Sequence, residues 1–402
     1  MGSPLSTLSP LRGYMEKRKE LIPYFKPDIQ LEDTEAVTEQ LLSGWIGLGK
    51  KTEEFEQEFA KYKGVKNAVA TNSCTSALML ALKTDQQTHG FNSRQRVLVP
   101  ALTWVSTAMA AKLVGYDVVL GDVSRETYLL SEYRQDIDTI LTVNLFGFPD
   151  LRNSGRISKI VDAAHSIESE VDQKAFATCY SFYASKNITT IEGGMVVTND
   201  NDSADKMRQL RYLGIRSDGG AYNRFIQEGV NKDSYHPYVS NIEGYKCYMP
   251  DVNAAMGLSQ LKRIEKNWAR RNHIWWKYNQ AFKDLPFLII PPEPVVGKHS
   301  RHIYPILFYW RERLKVQLRE YMIQTSIHYV PLYYHPSIKD IFRTDECKFN
   351  TEWIYNRELS LPLYPNLTDE EVDYIIYAVK ECVERICEEF KETNPIMEAV
   401  NV

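Results

Sequence analysis

No CxxC pair occurs among the six cysteines, at 74, 179, 247, 347, 382 and 387, and their spacings fit neither a zinc site nor a disulfide framework. A reduced, cytoplasmic setting is expected. Long apolar runs are also missing. The longest uncharged stretch, Val97 to Ala111, is too short to cross a bilayer and carries Pro100, Thr103, Ser106 and Thr107. The start has no apolar signal-peptide core. Its Met-Gly-Ser-Pro-Leu-Ser matches the permissive myristoylation pattern; the plainer reading is a flexible leader, with Met15 as an alternative start. An excess of one charge is lacking too. The 48 basic and 52 acidic residues give −4, without the surplus of a nucleic-acid binder. There is no internal repeat and no low-complexity tract. The 402 residues, 44% hydrophobic and 25% charged, read as a folded chain of two or three domains. Tyrosine is what abounds: 25, against 15 phenylalanines and 7 tryptophans. These are either core filler or a surface for polar, ring-shaped ligands.

Along the chain, residues 1–20 read as an arm, followed by helices at 31–42 and 52–62. Strands are expected at 67–71, 96–99, 117–120, 138–143, 157–161, 178–183 and 194–198, with helical segments between several of them. That alternation predicts a largely parallel sheet covered by helices. Residues 215–248 are polar and loop-like. A long helix is expected from Asp251 to Phe282, carrying a basic run (Lys262, Arg263, Lys266, Arg270, Arg271) read as a solvated face. The last helix opens on a capping box, Thr368 with Glu371, and buries Val372, Ile375, Ile376 and Val379.

Four segments carry candidate chemistry. At Thr71 to Leu78 a strand meets a helix through small polar residues, and the amides of Cys74 and Thr75 at the helix N-terminus form a candidate phosphate cradle. At Ala101 to Thr107, Trp104 stands where its ring could cover a flat cofactor. In Ile160 to His165 an apolar strand ends in Asp162, with His165 three residues on; a buried carboxylate there must be paired, protonated or used. From Tyr180 to Asn187, running into Glu192-Gly193-Gly194, Lys186 follows an apolar strand, and a desolvated lysine can attack a carbonyl. Ser181 adds a phosphate contact. Singly, these have plain readings: a helix cap, a core tryptophan, a capping aspartate, a surface lysine. Jointly, they supply what pyridoxal 5'-phosphate (PLP) needs.

The chain resembles the DegT/DnrJ/EryC1/StrS sugar aminotransferases, within the fold-type I PLP enzymes, from about Ile22 to Glu384. The markers are Ser43-Gly44-Trp45, Gly49, Phe55-Glu56, Asn72-Ser73-Cys74-Thr75, Pro100 to Trp104, Asp162-Ala163-Ala164-His165 and Ser185-Lys186-Asn187 with Glu192-Gly193-Gly194. Later ones are Gly244-Tyr245, Asp251 to Ala255, His328-Tyr329 with Pro331, and Ser360 to Pro365. The resemblance implies an α/β fold: a mostly parallel sheet in a three-layer large domain, with a smaller C-terminal α/β domain. The expected layout is an arm at 1–20, a PLP-binding domain at 21–250, an interdomain helix at 251–285 and a small domain at 286–402.

By resemblance, Lys186 is the Schiff-base lysine, Asp162 pairs with the pyridine nitrogen, Trp104 stacks on the ring and His165 lies near its phenolic oxygen. Ser73, Cys74, Thr75 and Ser181 hold the phosphate. The family is usually a homodimer with shared sites, and the segment Gly244 to Met249 is expected to reach across. Where relatives often carry Asn or Arg, this chain has Lys246, Cys247 and Tyr248, and Lys246 is expected to meet phosphate as a point charge. Trp45, Ile46, Leu48, His302, His328 and Tyr329 are candidates for the substrate side, with Tyr333 and Tyr334 beside them. The helix between Phe148 and Ile157 and the stretch from Ser166 to Thr178 are shortened, which predicts thin cover on one flank. The implied activity moves an amino group, from glutamate, to a nucleotide-linked ketosugar. The wording of LTWVST and DAAH is nearest to enzymes acting at C4. Alternatives are C3 amination, a dehydratase (relatives of that kind carry His for the lysine) and a non-catalytic PLP-binding protein.

Overall fold

The computed structural model describes residues 15–90, 95–134, 136–215, 240, 242–336 and 349–393. Five-residue strands dominate the first half: β1 (Asn67–Thr71), β2 (Arg96–Pro100), β3 (Asp117–Gly121), β4 (Thr139–Val143), β5 (Ser158–Asp162), β6 (Ala177–Ser181) and β7 (Gly194–Thr198). They form one sheet in the order β1-β7-β6-β5-β4-β2-β3. All neighbouring pairs are parallel except those of β7, which runs against both β1 and β6.

Alternate residues of these strands feed opposite faces, as the pleat requires. Val97, Val99, Cys179 and Val196 pack on one side against Leu78 and Ala81 of α3 (Cys74–His89), Ala108 of α4 (Val105–Leu113) and Met207 of α5 (Asn201–Leu210). Tyr180, Met195 and Val197 pack on the other against Phe55 and Phe59 of α2 (Lys50–Lys63). The large unit is therefore a three-layer α/β/α arrangement, with α1 (Leu31–Leu42) packed against the helix that begins at Asp251.

The expected long helix is two helices, α6 (Asp251–Leu261) and α7 (Ile264–Phe282). Arg263 leaves helical backbone at the break (φ −116, ψ 11), and its guanidinium is taken by Asp28 and Asp33. The solvated-face reading of the basic run is overturned in part. Arg270 pairs with Asp369, and Arg271 is buried against Glu168. Four apolar positions of α7, including Trp275 and Tyr278, are buried in a second core, and Ala281 packs against it. That core also holds β8 (Leu288–Ile289), β9 (Tyr304–Phe308), α8 (Arg311–Glu320), β10 (Glu358–Leu361) and α10 (Asp369–Thr393); α9 (Phe349–Tyr355) precedes β10. The second sheet is antiparallel, ordered β10-β9-β8.

The capping box of α10 forms as expected, with Thr368 N–H on Glu371 and Glu371 N–H on Thr368 Oγ1, both at 3.1 Å. Residues 1–14 of the expected arm lie outside the described residues, as does most of the loop at 215–248. Residues 17 and 18 are tied down: Lys17 pairs with Glu320, and Arg18 with Glu371.

The shortened flank is closed by two buried lysines. Lys159, in mid-strand β5, donates to the carbonyls of Asp150 (2.8 Å) and Arg152 (2.9 Å) and to Asp172 (2.9 Å). Lys63 donates to the carbonyls of Ile167 and Ser169. Each ammonium satisfies backbone oxygens of loops that no helix covers. Much of the tyrosine excess is core: Tyr116, Tyr128, Tyr180, Tyr278 and Tyr304 are all fully buried.

Candidate functional site

In open α/β sheets ligands gather at the carboxyl ends of the parallel strands. Here that edge holds Asp162 at the end of β5 and Ser181 at the end of β6, with α3 opening beside them. Ser73 caps α3, its Oγ accepting the Ser76 N–H at 3.1 Å. Cys74 and Thr75 occupy the first turn, where a helix has no carbonyl of its own to bond the amides. Gly194 makes this approach of β7 possible. A Cβ there would stand 2.4 Å from the Ser73 carbonyl and 2.6 Å from the Cys74 nitrogen. The result is a cradle of backbone N–H groups suited to an anion.

Asp162 is buried and held by Thr107 Oγ1 at 2.8 Å, the Ala164 N–H at 3.1 Å and the Cys74 thiol, with Sγ at 3.9 Å. Burial pushes its pKa up, against those hydrogen bonds and the positive charge of Lys186. Lys186 stands half-buried in the turn after β6. Desolvation lowers its amine to about 8, although Asp162 and Cys74 pull the other way. A buried acid facing a softened amine is the pairing that a protonated pyridine nitrogen and a reactive aldehyde require.

Three histidines line the side of this cleft. His165 accepts the Phe146 N–H on Nδ1 at 3.3 Å, so its proton sits on Nε2 and points to Tyr329 Oη, 3.0 Å away. His302 meets Asn187 Oδ1 through Nδ1 at 2.7 Å; an amide oxygen only accepts, so this imidazole carries its proton on Nδ1. His328 meets Ser360 Oγ through Nδ1 at 2.8 Å. Burial and the Lys186 charge push all three pKa values down, His328 to about 3. They are neutral imidazoles, and tautomers rather than charges distinguish them.

Several supporting residues were not singled out from the sequence. Asn187 Nδ2 donates to Glu168, at 3.0 and 2.8 Å, and to the Ser300 carbonyl at 3.1 Å. Glu168 in turn holds Arg271 of α7, and Ser300 Oγ takes the Glu168 and Ser169 N–H groups. The residue following the lysine is thus locked to α7 and to the 299–302 segment. Asp251 caps α2 across the chain, accepting from the N–H groups of Gly49, Lys51 and Thr52. Asn253 holds the turn after the lysine by the carbonyls of Thr190 and Glu192. Asn187, Asp251 and Asn253 stood in the quoted markers without a role; only their neighbours in space supply one.

The structure gathers Ser73, Cys74, Thr75, Asp162, His165, Ser181, Lys186, His302, His328 and Tyr329 around this edge. Trp104, the N-cap of α4, is exposed, with its ring 5.5 Å from that of Tyr329. Lys246 is exposed and bridges to Tyr212, while Asn72 N–H bonds the Cys247 carbonyl beside the cradle. Trp45 and Ile46 stand exposed in the turn between α1 and α2, and Leu48 is half-buried next to them. The histidine group forms without these three. Tyr333 follows Leu332 beside the first core, and Tyr334 hydrogen-bonds Glu352 of α9 at 3.0 Å.

An anion cradle, a buried carboxyl, a softened lysine and neutral imidazoles on this sheet define the class of fold-type I PLP-dependent aminotransferases. The donor set fits the cofactor without alteration. The chain belongs to the DegT/DnrJ/EryC1/StrS aminotransferase family, whose model matches residues 27–380. It is 36% identical over 403 residues to the Bacillus subtilis spore coat polysaccharide biosynthesis protein SpsC, covering 92% of this chain and 99% of that one. Among solved structures, Helicobacter pylori PseC, an aminotransferase involved in pseudoaminic acid biosynthesis, superposes with a TM-score of 0.80 at 28% identity. That match covers 91% of this chain and all of PseC. The PLP form of a proposed sugar aminotransferase from Streptococcus pneumoniae superposes at 0.78 with 25% identity, over 91% of this chain and 99% of that one. The protein is accordingly a sugar aminotransferase that uses PLP. Five described cysteines are free, no group among the described residues could hold a metal, and no described helix is long and apolar enough to cross a membrane.

Proposed function

We propose that the enzyme moves an amino group from glutamate to a nucleotide-linked 4-keto-6-deoxy sugar at C4, in the cytoplasm, as a homodimer with shared sites. The observation that carries the transfer chemistry is Lys186, its amine lowered to about 8, facing the buried Asp162. PLP, when bound, supplies the electron sink that lets an α-carbon lose its proton. Lys186 takes that proton and returns it at the neighbouring carbon, which needs an amine with a pKa near the working pH. Asp162, fixed by Thr107 and Ala164, keeps the ring nitrogen protonated. Cys74 and Thr75 amides, with Ser73 and Ser181, would hold the phosphate, and Trp104 would supply an aromatic face for the ring. His165, through its hydrogen bond to Tyr329, fixes that phenol and would lie near the cofactor's phenolic oxygen.

On the substrate side, His302, His328 and Tyr329 offer neutral donors and acceptors that suit a sugar's hydroxyls. Trp45, Ile46, Leu48 and Lys246 contribute through the second protomer. The kinship with SpsC, a spore coat polysaccharide biosynthesis protein, supports a product bound for a polysaccharide. Lysine at position 186 argues against dehydration, and the intact Lys186–Asp162 pair against a non-catalytic protein. The test is to load the protein with PLP, add L-glutamate and follow visible absorbance and 2-oxoglutarate. Nucleotide-linked 3-keto and 4-keto sugars are then offered in parallel. An active 3-keto substrate with an inert 4-keto one would overturn the position; a Lys186→Ala variant that still turns over would overturn the mechanism.

A further inference from the structure

One buried carboxyl has no part in the chemistry above. Glu358 of β10 is fully buried, yet no arginine or lysine is hydrogen-bonded to its carboxyl. Its two oxygens are spoken for otherwise. Oε2 accepts the His328 N–H at 2.7 Å, and Oε1 meets Ser360 Oγ. Ser360 Oγ is also the partner of His328 Nδ1 at 2.8 Å. A continuous chain therefore runs from Glu358 and Ser360 of the small sheet to His328, and ends on an imidazole whose ring is 4.8 Å from Tyr329 and 6.4 Å from His165.

A hydroxyl owns one proton, and that fixes the direction of the chain. With Glu358 ionised, Ser360 must donate to it, so Ser360 can only accept from His328, and the imidazole proton sits on Nδ1. With Glu358 protonated, its own proton goes to Ser360, Ser360 turns its proton to His328 Nδ1, and the imidazole proton sits on Nε2. The other two histidines have no such freedom. His165 is fixed by a backbone N–H and His302 by an amide oxygen, neither of which can reverse.

We propose that Glu358 is a positioning residue which, through Ser360, decides the tautomer of His328 and so whether the substrate side meets a donor or an acceptor at Nε2. This rests on the reading of the cleft as the transfer site. The groups that face Glu358 are Arg311 of α8, Tyr24 of the N-terminal segment, Tyr128, Tyr329 and His328. Arg311 favours the ionised form, but burial outweighs it and lifts the carboxyl to about 8. Tyr24 packs its ring 5.4 Å from His328 and hydrogen-bonds Ser360; burial keeps its phenol protonated, with Tyr329 and Glu358 adding to the effect and Ser360 opposing it, so the phenol can donate to Ser360 and leave the Ser360 proton to Glu358 or His328. His328 itself stays neutral: one proton is released to solvent, the negative charge left behind rests on Glu358, and the ring only exchanges Nε2–H for Nδ1–H.

Imidazole nitrogen NMR tests this on the PLP-loaded enzyme with ¹⁵N-labelled histidine, from pH 6.5 to 9.5, with His328 assigned by its absence in His328→Gln. Wild type is expected to exchange the pyrrole-like and pyridine-like signals of His328 as pH rises through about 8, Nδ1 becoming pyrrole-like. Glu358→Gln, whose amide donates to Ser360 at every pH, is expected to hold Nε2–H throughout. Ser360→Ala is expected to remove the pH response while leaving Glu358 in place. Wild-type His328 signals that do not exchange, or that exchange unchanged in either variant, overturn the proposal. Glutamate turnover is read separately on the same sample, so an inactive protein with a working relay counts only against the transfer reading.

Discussion

The floor of the cleft and its wall are built by different means. The floor, Asp162 and Lys186 over the Ser73–Thr75 cradle, comes from strand ends of the large sheet, where each group follows a run of apolar residues within a few positions. The wall is made of His302, His328 and Tyr329, which border β9 or precede β10, and is fixed by partners over a hundred residues away, as Asn187 with His302, or across strands, as Ser360 with His328. Charge does the work in the floor, and proton placement on neutral rings does it in the wall. The contrast predicts that floor variants abolish chemistry, while wall variants shift pH dependence, stability and substrate preference.

The largest effect is expected at Lys186. Replacing it with alanine removes both the amine and the proton carrier, and turnover should fall by about 10⁴-fold, measured as amino-sugar formation with glutamate. A variant within tenfold of wild type would erase the distinction between floor and wall.

Next in size is a pH effect on stability from the wall. Glu358 titrates at about 8 when folded, above its ordinary 4.5, so between those values the folded state holds more protons than the unfolded one. Stability then falls as pH rises from 4.5 to 8. Glu358→Gln removes that loss and should be more stable than wild type at pH 9, by up to about 5 kcal/mol, and little different at pH 4.5. Urea unfolding at the two pH values checks this; an equal difference at both would show that Glu358 is not buried as a neutral acid. The sign is opposite to that of an ion-paired carboxylate.

The Glu168–Arg271 pair joins the two regions. Arg271→Met leaves Glu168 buried with Asn187 alone and is expected to cost about 3 kcal/mol or more, read by thermal unfolding, with Glu168→Gln added to restore much of the loss. Sharpening the floor further, Asp162→Asn should lower turnover by about 10²-fold while PLP still binds. The smallest effect is expected at Thr107→Val, which removes one hydrogen bond to Asp162 for about 1 kcal/mol, seen as a modest drop in PLP affinity.

How much of this could be read from the residues follows the same division. That Asp162, Lys186 and the Cys74–Thr75 amides meet at one sheet edge was legible because strand, turn and helix cap are local. Asn187 stood beside Lys186 in plain view, but nothing local says that its amide meets Glu168 and His302. Arg271 shows the limit most clearly. On a helical wheel it belongs to a basic stripe, and only the fold reveals that this turn of α7 faces Glu168 across the buried 166–169 loop. The break at Lys262–Arg263 is hidden for the same reason: both residues favour helix, and the interruption coincides with the capture of Arg263 by Asp28 and Asp33. Lys159 in mid-strand β5 runs against the usual exposure of lysine and is held by Asp150, Arg152 and Asp172 of the neighbouring loops.

The most direct measurement is the visible spectrum of the PLP-loaded protein on titration with L-glutamate. The account predicts that the absorbance of the bound cofactor bleaches, with one 2-oxoglutarate released per site, and that Lys186→Ala shows no such release. An unchanged spectrum with no 2-oxoglutarate, in protein shown to hold PLP, would contradict it.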